Sequence, residues 1–326
     1  MSEKPERNLG LDLARATEAA ALAAARWVGR GQKNEGDGAA VNALRLLLGT
    51  VRMDGVVVIG EGEKDDAPML YNGERVGNGH GPLVDVAVDP VEGTNLLAKG
   101  RPGSIAVVAV APRGTLFDPG PAFYMDKLVV GPEAAGLVDL EAPIAETLAI
   151  IARAKGLDVD EVTVVILDRP RNQGHIQAVR EAGARIRLIT DGDVAPSLMA
   201  ALPGTGIDAV MGIGGTPEGV ITACAMCGLG GEIQGCLAPQ SDAERARVEA
   251  AGLAIGRKLT LADLAGDDHF FAATGITHGD FLRGVRYTPS GAVTHSLVTR
   301  SRSGTWRTIE AHHRWDKLQA ISAVEY

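Results

Sequence analysis

Apolar residues recur along the first third of the chain in short runs, some unbroken and some alternating with polar positions. Val56–Gly60, Leu83–Asp89 and Ser104–Ala111 read as strands, and Lys127–Val130 as a fourth. Leu9–Arg30 is rich in Ala and Leu and predicts a helix. Gly38–Val51 carries Val41, Leu44 and Leu48 on one helical face, with Asp37 placed to cap it. Ala142–Lys155 is helical again. The rhythm changes near residue 157. Strand Val162–Leu167, helix Gln173–Ala182, strand Arg185–Thr190, helix Ala195–Ala201 and strand Ala209–Gly212 follow in alternation. That order predicts a parallel sheet covered by helices, with ligands at the carboxyl ends of its strands. Gly214-Gly215-Thr216-Pro217-Glu218 opens another helix, with Pro217 in its first turn. Ser241–Arg257 reads as a polar-faced helix, and the tail from His269 to about His313 as short strands between Gly and Pro turns. The fold class is therefore α/β, expected as two lobes, residues 1–157 and 158–326.

Chemistry enters where the alternation stops. Asp85-Val86-Ala87-Val88-Asp89-Pro90-Val91-Glu92-Gly93-Thr94 begins as a strand. Pro90 cannot donate to a sheet ladder, so the strand is expected to end at Asp89. Asp89, Glu92 and Thr94 then share the mouth of a loop. Carboxylates so close repel each other unless positive charge lies between them. A divalent ion with hard oxygen ligands, Mg²⁺ or Mn²⁺, meets that need. A second acidic stretch, Glu61, Glu63 and Asp65, follows the Val56–Gly60 strand in the same way. Alone it is a solvated turn; at a strand end beside the first it points to a shared metal site. Asp37 and Glu218 fit helix starts equally well, as a cap and as a first-turn charge. Beside such carboxylates the Thr94 hydroxyl can orient a water for attack on phosphorus, which is metal-assisted hydrolysis.

Composition narrows the partners. The 326 residues are 45% hydrophobic and 22% charged, ordinary for a globular chain, and the net charge of −9 argues against nucleic acid. An acidic protein handling an anionic substrate needs local cations. Arg169-Pro170-Arg171 follows a strand and offers guanidinium forks for phosphate. Asp191-Gly192-Asp193 follows the next strand and either accepts hydrogen bonds from sugar hydroxyls or caps a helix. The Gly214-Gly215 turn can hold an anion on backbone N–H groups. Cys224, Cys227 and Cys236 are too few for a disulfide framework and suggest a reducing, cytoplasmic setting. The CxxC spacing of the first two lies in an apolar helix and reads as core packing. His312-His313 would face opposite sides of a strand. The longest uncharged stretch, Val194–Ile207, is too short for a bilayer.

Three segments together carry a resemblance. Gly60–Tyr71, Val84–Thr94 and Gly212–Gly219 closely resemble the class II fructose-1,6-bisphosphatases of bacteria. Gly29–Asn34 with Asp37-Gly38, Tyr124-Met125 and Ala273–Thr277 are similar as well, so the likeness runs from about residue 9 to 312. It implies the layered α/β/α/β/α sugar-phosphatase fold, shared with inositol monophosphatases. It implies metal ligands at Asp37, Glu61, Asp89, Glu92 and Glu218. It implies that Thr94 orients the water with help from Asp65 or Glu63, and that Lys33 lies near the reacting phosphate. Glu92-Gly93-Thr94, Tyr124, Arg169-Pro170-Arg171, Asp191-Gly192-Asp193 and Gly215 would hold the sugar bisphosphate. Arg169 and Asn172 stand where family members often carry Lys and His. Inositol monophosphatases have Asp-Gly-Thr at 92–94, which favours the bisphosphatase. The implied reaction releases the 1-phosphate of fructose 1,6-bisphosphate in a cytoplasmic homo-oligomer, a dimer or tetramer. Sedoheptulose 1,7-bisphosphate as substrate, or a non-catalytic sugar-phosphate-binding regulator, are the alternatives.

Overall fold

The computed structural model describes residues 8–62, 69–266 and 268–321. Two helices, α1 (Gly10–Ala25) and α2 (Lys33–Leu48), precede β1 (Asp54–Ile59), β2 (Arg75–Val76), β3 (Leu83–Glu92), α3 (Thr94–Lys99) and β4 (Ile105–Pro112). Next come β5 (Tyr124–Val130), α4 (Ile144–Lys155), β6 (Thr163–Leu167), α5 (Gln173–Glu181), β7 (Arg185–Ile189), α6 (Val194–Ala201), β8 (Ala209–Gly215), α7 (Thr216–Leu229), β9 (Glu232–Leu237), α8 (Asp242–Ala250), β10 (Lys258–Leu259) and α9 (Leu261–Leu264). The chain closes with β11 (Phe270–Gly275), β12 (Arg286–Thr288), β13 (Gly291–Arg300), β14 (Thr305–Arg314) and α10 (Trp315–Ile321).

Among these residues the strands form two sheets. The first has the order β12-β13-β11-β4-β3-β1-β2, with β14 paired along β13; the second runs β10-β9-β5-β8-β6-β7. Three apolar clusters show the layering. On β3 and β4, Val84, Val86, Val88 and Val108 bury against Leu13 of α1 and Leu44 and Leu48 of α2. Ala87, Val107 and Ala109 on the other face join Val220 and Ile221 of α7, Leu198 of α6, and Met125 and Val129 of β5. On the far side of the second sheet, Leu128, Val164 and Ile166 pack on Leu148 and Ile151 of α4 and Val179 of α5. The order is α/β/α/β/α, with α6 and α7 between the sheets, as the resemblance implies.

Several expectations change. Sheet membership does not switch near residue 157: β5 pairs with β8 and β9, and β11 pairs back onto β4. The second sheet is mixed rather than parallel, since only the β6–β7 and β6–β8 pairs are parallel. The tail is not all short strands, because β13 and β14 have ten residues each. The helix predicted to reach Arg257 ends at Ala250. The strand expected to stop at Asp89 continues to Glu92. Pairing with β1 ends at Ala87, and the ladder to β4 shifts register between Asp89 and Glu92. Pro90 therefore sits where no ladder donor is required. Asp37 does not cap α2, which starts at Lys33. Gly36, which looks like a breaker, lies where an added Cβ would stand 2.7 Å from Leu97 Cδ2, so it serves close packing on α3.

Two shifts of register aim the acidic residues. Val57 of β1 pairs with Val86 and faces α1 and α2, whereas Ile59 pairs with Ala87 and faces the middle layer. The irregularity between them turns the end of β1 inward. On β3 the odd positions Asp85, Ala87 and Asp89 alternate onto the middle-layer face. Asp85 has its own structural partners. Its Oδ2 accepts the N–H groups of Gly114 (2.6 Å), Thr115 (3.1 Å) and Leu116 (3.3 Å), and its Oδ1 lies 3.4 Å from Arg113 Nε. Asp85→Ala strips a buried turn of its acceptor, and the expected loss is about 3 kcal/mol of stability. Urea unfolding measures it; an unshifted midpoint removes this role. Turnover per folded molecule is expected to stay near that of the wild type.

Candidate active site

The ends of β1 and β3 meet the starts of α2, α6 and α7 around one cavity of about 540 Å³. Its lining includes Lys33, Asp37, Glu61, Asp89, Glu92, Gly93, Thr94, Tyr124, Arg169, Arg171, Asp191, Gly192, Asp193, Gly215 and Glu218. Pro170 does not line it; it opens the turn Pro170–Asn172 that carries Arg171. Glu63 and Asp65 lie outside the described residues. Lys33 and Asp37 are one turn apart on α2, so both side chains face the same way. Thr94 is the first residue of α3, and Gly93 before it has φ +84°, a conformation that a side chain would strain.

The carboxyl groups are crowded and short of cations. Burial drives the ionisation of Asp89 well above the usual carboxylate range, and Glu92, Glu218 and Glu61 push it further. Burial, then Asp193 and Glu218, does the same to Glu92. Burial and Asp193 raise Glu218, with Lys127 opposing. Glu61 rises to about 7 through burial and the nearby Asp37 charge, and Asp37 itself rises through burial against the pull of Lys33. Glu218 Oε2 is wholly buried and accepts no hydrogen bond. A buried acceptor of this kind fits a hard cation that takes oxygen ligands. Among the described residues no three of these side chains are already drawn around one ion-sized point. Mutual repulsion opposes that approach until a cation offsets it.

The opposite wall belongs to the second sheet. Arg171 stacks over the Tyr124 ring at 4.6 Å and donates Nε to the Ile213 carbonyl at 3.0 Å, which fixes the plane of its fork. Arg169 donates to the Thr190 carbonyl at 2.6 Å. Asn172 is buried and joins this turn to β8 by accepting from Ile213 N (2.7 Å) and donating to the Leu167 and Ile213 carbonyls. Three ties hold the 191–194 loop. Asp191 Oδ2 accepts both N–H groups of Asn95 at 3.1 Å, Glu92 Oε1 accepts Val194 N at 2.9 Å, and Lys127 Nζ meets Asp193 Oδ2 at 2.6 Å. Asn95, Lys127 and Asn172 are functional neighbours that residue type and spacing do not mark. Even Lys127, at the start of the apolar run Lys127–Val130, reads as the edge of a strand.

Residues 7–313 match the family model described as bacterial fructose-1,6-bisphosphatase, glpX-encoded. The chain is 44% identical over 325 residues to fructose-1,6-bisphosphatase 1 class 2 of Escherichia coli K12, covering 95% of this chain and 96% of that protein. It is equally similar, over the same shares, to fructose-1,6-bisphosphatase class 2 of Shigella flexneri.

The charge crowding has a thermodynamic signature. A carboxyl whose folded pKa exceeds its unfolded value keeps, in that window, a proton the unfolded chain has lost, so stability rises as pH falls through it. Between 4.5 and about 7 Glu61 acts in this sense. His295 and His313, lowered by burial, act in the opposite sense near pH 6.5 and below. The difference between wild type and Glu61→Gln cancels the histidines and leaves the Glu61 carboxyl with its push on Asp89. In chelator, the wild-type thermal midpoint is expected to gain on that of the variant between pH 8 and pH 5.5. Millimolar divalent cation at pH 8 should raise the wild-type midpoint more. Parallel pH profiles of the two proteins would contradict the burial of this charge.

Proposed function

The chain belongs to the bacterial fructose-1,6-bisphosphatase family, and we propose how its residues divide the work of that activity. It is a phosphoric monoester hydrolase of fructose 1,6-bisphosphate, a gluconeogenic enzyme with a divalent-cation requirement. In our reading the cation is Mg²⁺ or Mn²⁺, held by Asp37, Glu61, Asp89, Glu92 and Glu218, and the 1-phosphate is the group released to leave fructose 6-phosphate. Bound there, the cation supplies activation of water and offsets charge on the phosphoryl and leaving oxygens.

The other steps fall to the protein. Thr94 orients the attacking water through its hydroxyl at the head of α3. Lys33 adds positive charge beside the reacting phosphate. Asp65 or Glu63, both outside the described residues, is the helper of Thr94 that the family likeness implies. Arg169 and Arg171 take the distal phosphate, which suits planar forks already oriented by backbone and ring contacts. Tyr124, Asp191 and Asp193 contact the sugar, Gly93, Gly192 and Gly215 allow close backbone approach, and Pro170 sets the turn under Arg171. A cytoplasmic homo-oligomer is the setting we propose. The three free thiols support the compartment, and the family alone supports the assembly.

One observation carries this reading. Side chains from α2, the ends of β1 and β3, the loops after β6 and β7, and the start of α7 line a single cavity, acidic on one wall and bearing arginines on the other. Phosphate release from fructose 1,6-bisphosphate is expected to vanish in chelator and return with Mg²⁺ or Mn²⁺; activity that survives complete metal removal overturns it. Thr94→Ala is expected to lower kcat by about 10²–10³-fold, with thermal midpoint and KM little changed. Turnover like that of the wild type would take Thr94 out of the reaction.

A further inference from the structure

Lys127 is the one lysine or arginine among the described residues that is essentially buried, at 3% exposure. It lies in the middle of β5 on the face that carries Met125 and Val129, so its side chain enters the middle layer. Its ammonium has two acceptors, Asp193 Oδ2 at 2.6 Å and the Gly215 carbonyl at 3.1 Å. Asp193 is itself 5% exposed. The path between is made by missing side chains. A Cβ on Gly214 would stand 2.9 Å from Lys127 Nζ, and one on Gly219 would stand 3.3 Å from Cδ. This is a passage fitted to an unbranched chain.

The two acceptors come from different segments, the loop after β7 and the last residue of β8. The other ties on that loop, from Glu92 and Asn95, lead back to the first sheet. Lys127 alone of the three joins the loop to a central strand of the second sheet. A buried ion pair is a poor source of net stability, because desolvation opposes the attraction, but removal of one partner leaves the other charge stranded. Without the ammonium, Asp193 would remain beside Glu92 and Glu218, whose charges it already opposes. Its easiest relief is to swing toward water, and the loop would follow.

We propose that Lys127 is a positioning residue of this phosphatase, one that locks the sugar-facing Asp191–Asp193 loop to the Gly215 turn so that the two approach substrate as a single rigid wall. The proposal rests on the reading that this loop and turn contact the sugar bisphosphate. It predicts a defect in substrate handling that is distinct from a loss of folded protein.

The test is steady-state kinetics of the full chain with fructose 1,6-bisphosphate and Mg²⁺. Lys127→Met is expected to lower kcat/KM on the order of 10²-fold, since small misplacements of binding groups cost about that much, with most of the loss in KM. A merely structural lysine would lower the active fraction and leave KM unchanged, and that result overturns the proposal. Should Lys127→Met fail to fold, Lys127→Arg decides. It keeps the charge but brings a planar fork into the passage at Gly214 and Gly219, and KM is expected to rise about tenfold. An unchanged KM in a folded Lys127→Arg enzyme likewise overturns it. Asp191→Ala tests the underlying reading separately. An unchanged KM in that variant refutes the contact of this loop with the sugar. A raised KM there, beside an unchanged KM in the Lys127 variants, refutes the proposal alone.

Discussion

Negative charge packed into a buried junction is the constraint on which this structure depends. Asp89 and Glu92 of β3 and Glu218 of α7 meet where two sheets face each other across a helical layer. Burying ionised carboxyls opposes folding unless each finds a counter-charge or donor. The chain supplies part of what they need. Val91 N donates to Asp89, Val194 N donates to Glu92, and Lys127 stands near Glu218. What remains, including the bare Glu218 Oε2, suits a cation from outside. The same groups also join the sheets, since Glu92 on β3 reaches the loop leading into α6. Charge whose burial opposes folding is therefore also what holds the walls of the junction in register.

The local features that bear on this site are legible in the sequence, and the long-range ones are not. Strand ends announce Glu61, Asp89 and Glu92, because an alternating run broken by acid, Pro and Gly marks the mouth of a loop. The arginines after β6 and the acidic pair after β7 emerge by the same logic. Sheet partition is hidden: the pairing of β5 with β9, or of β11 with β4, joins segments more than a hundred residues apart and leaves no local period. Asp37 resembles a cap because Gly36 and Gly38 flank it. Gly36 is there for contact with Leu97 and Trp27, a tertiary reason that overrides helix propensity. Lys127 looks like the edge of its apolar run, yet the strand begins three residues earlier at Tyr124, so its burial is not evident from pattern. Lys33, Tyr124 and the participation of Pro170 come only from family likeness; nothing in their residue type or spacing marks them.

The middle helix shows why such a junction can exist at all. α7 lies between two sheets and is buried on nearly every side, so it has to be apolar all round and thin. Its sequence, TPEGVITACAMCGL, meets both demands with Gly219, Ala223, Cys224, Ala225 and Gly228. Gly219 admits Met125 and Lys127, and Gly228 admits Thr299 of β13. The CxxC spacing follows from this packing, with Cys224 a small apolar filler whose thiol burial pushes well above its ordinary range. Only the first turn of α7 escapes the apolar requirement, and Glu218 sits there, where the helix dipole favours a negative charge. Thinness along the helix brings the sheets close enough for β3 and β5 to share one cavity, and the polar start places a carboxylate in it. A bulkier α7 would keep every proposed ligand in the chain and still separate the acidic wall from the arginine wall.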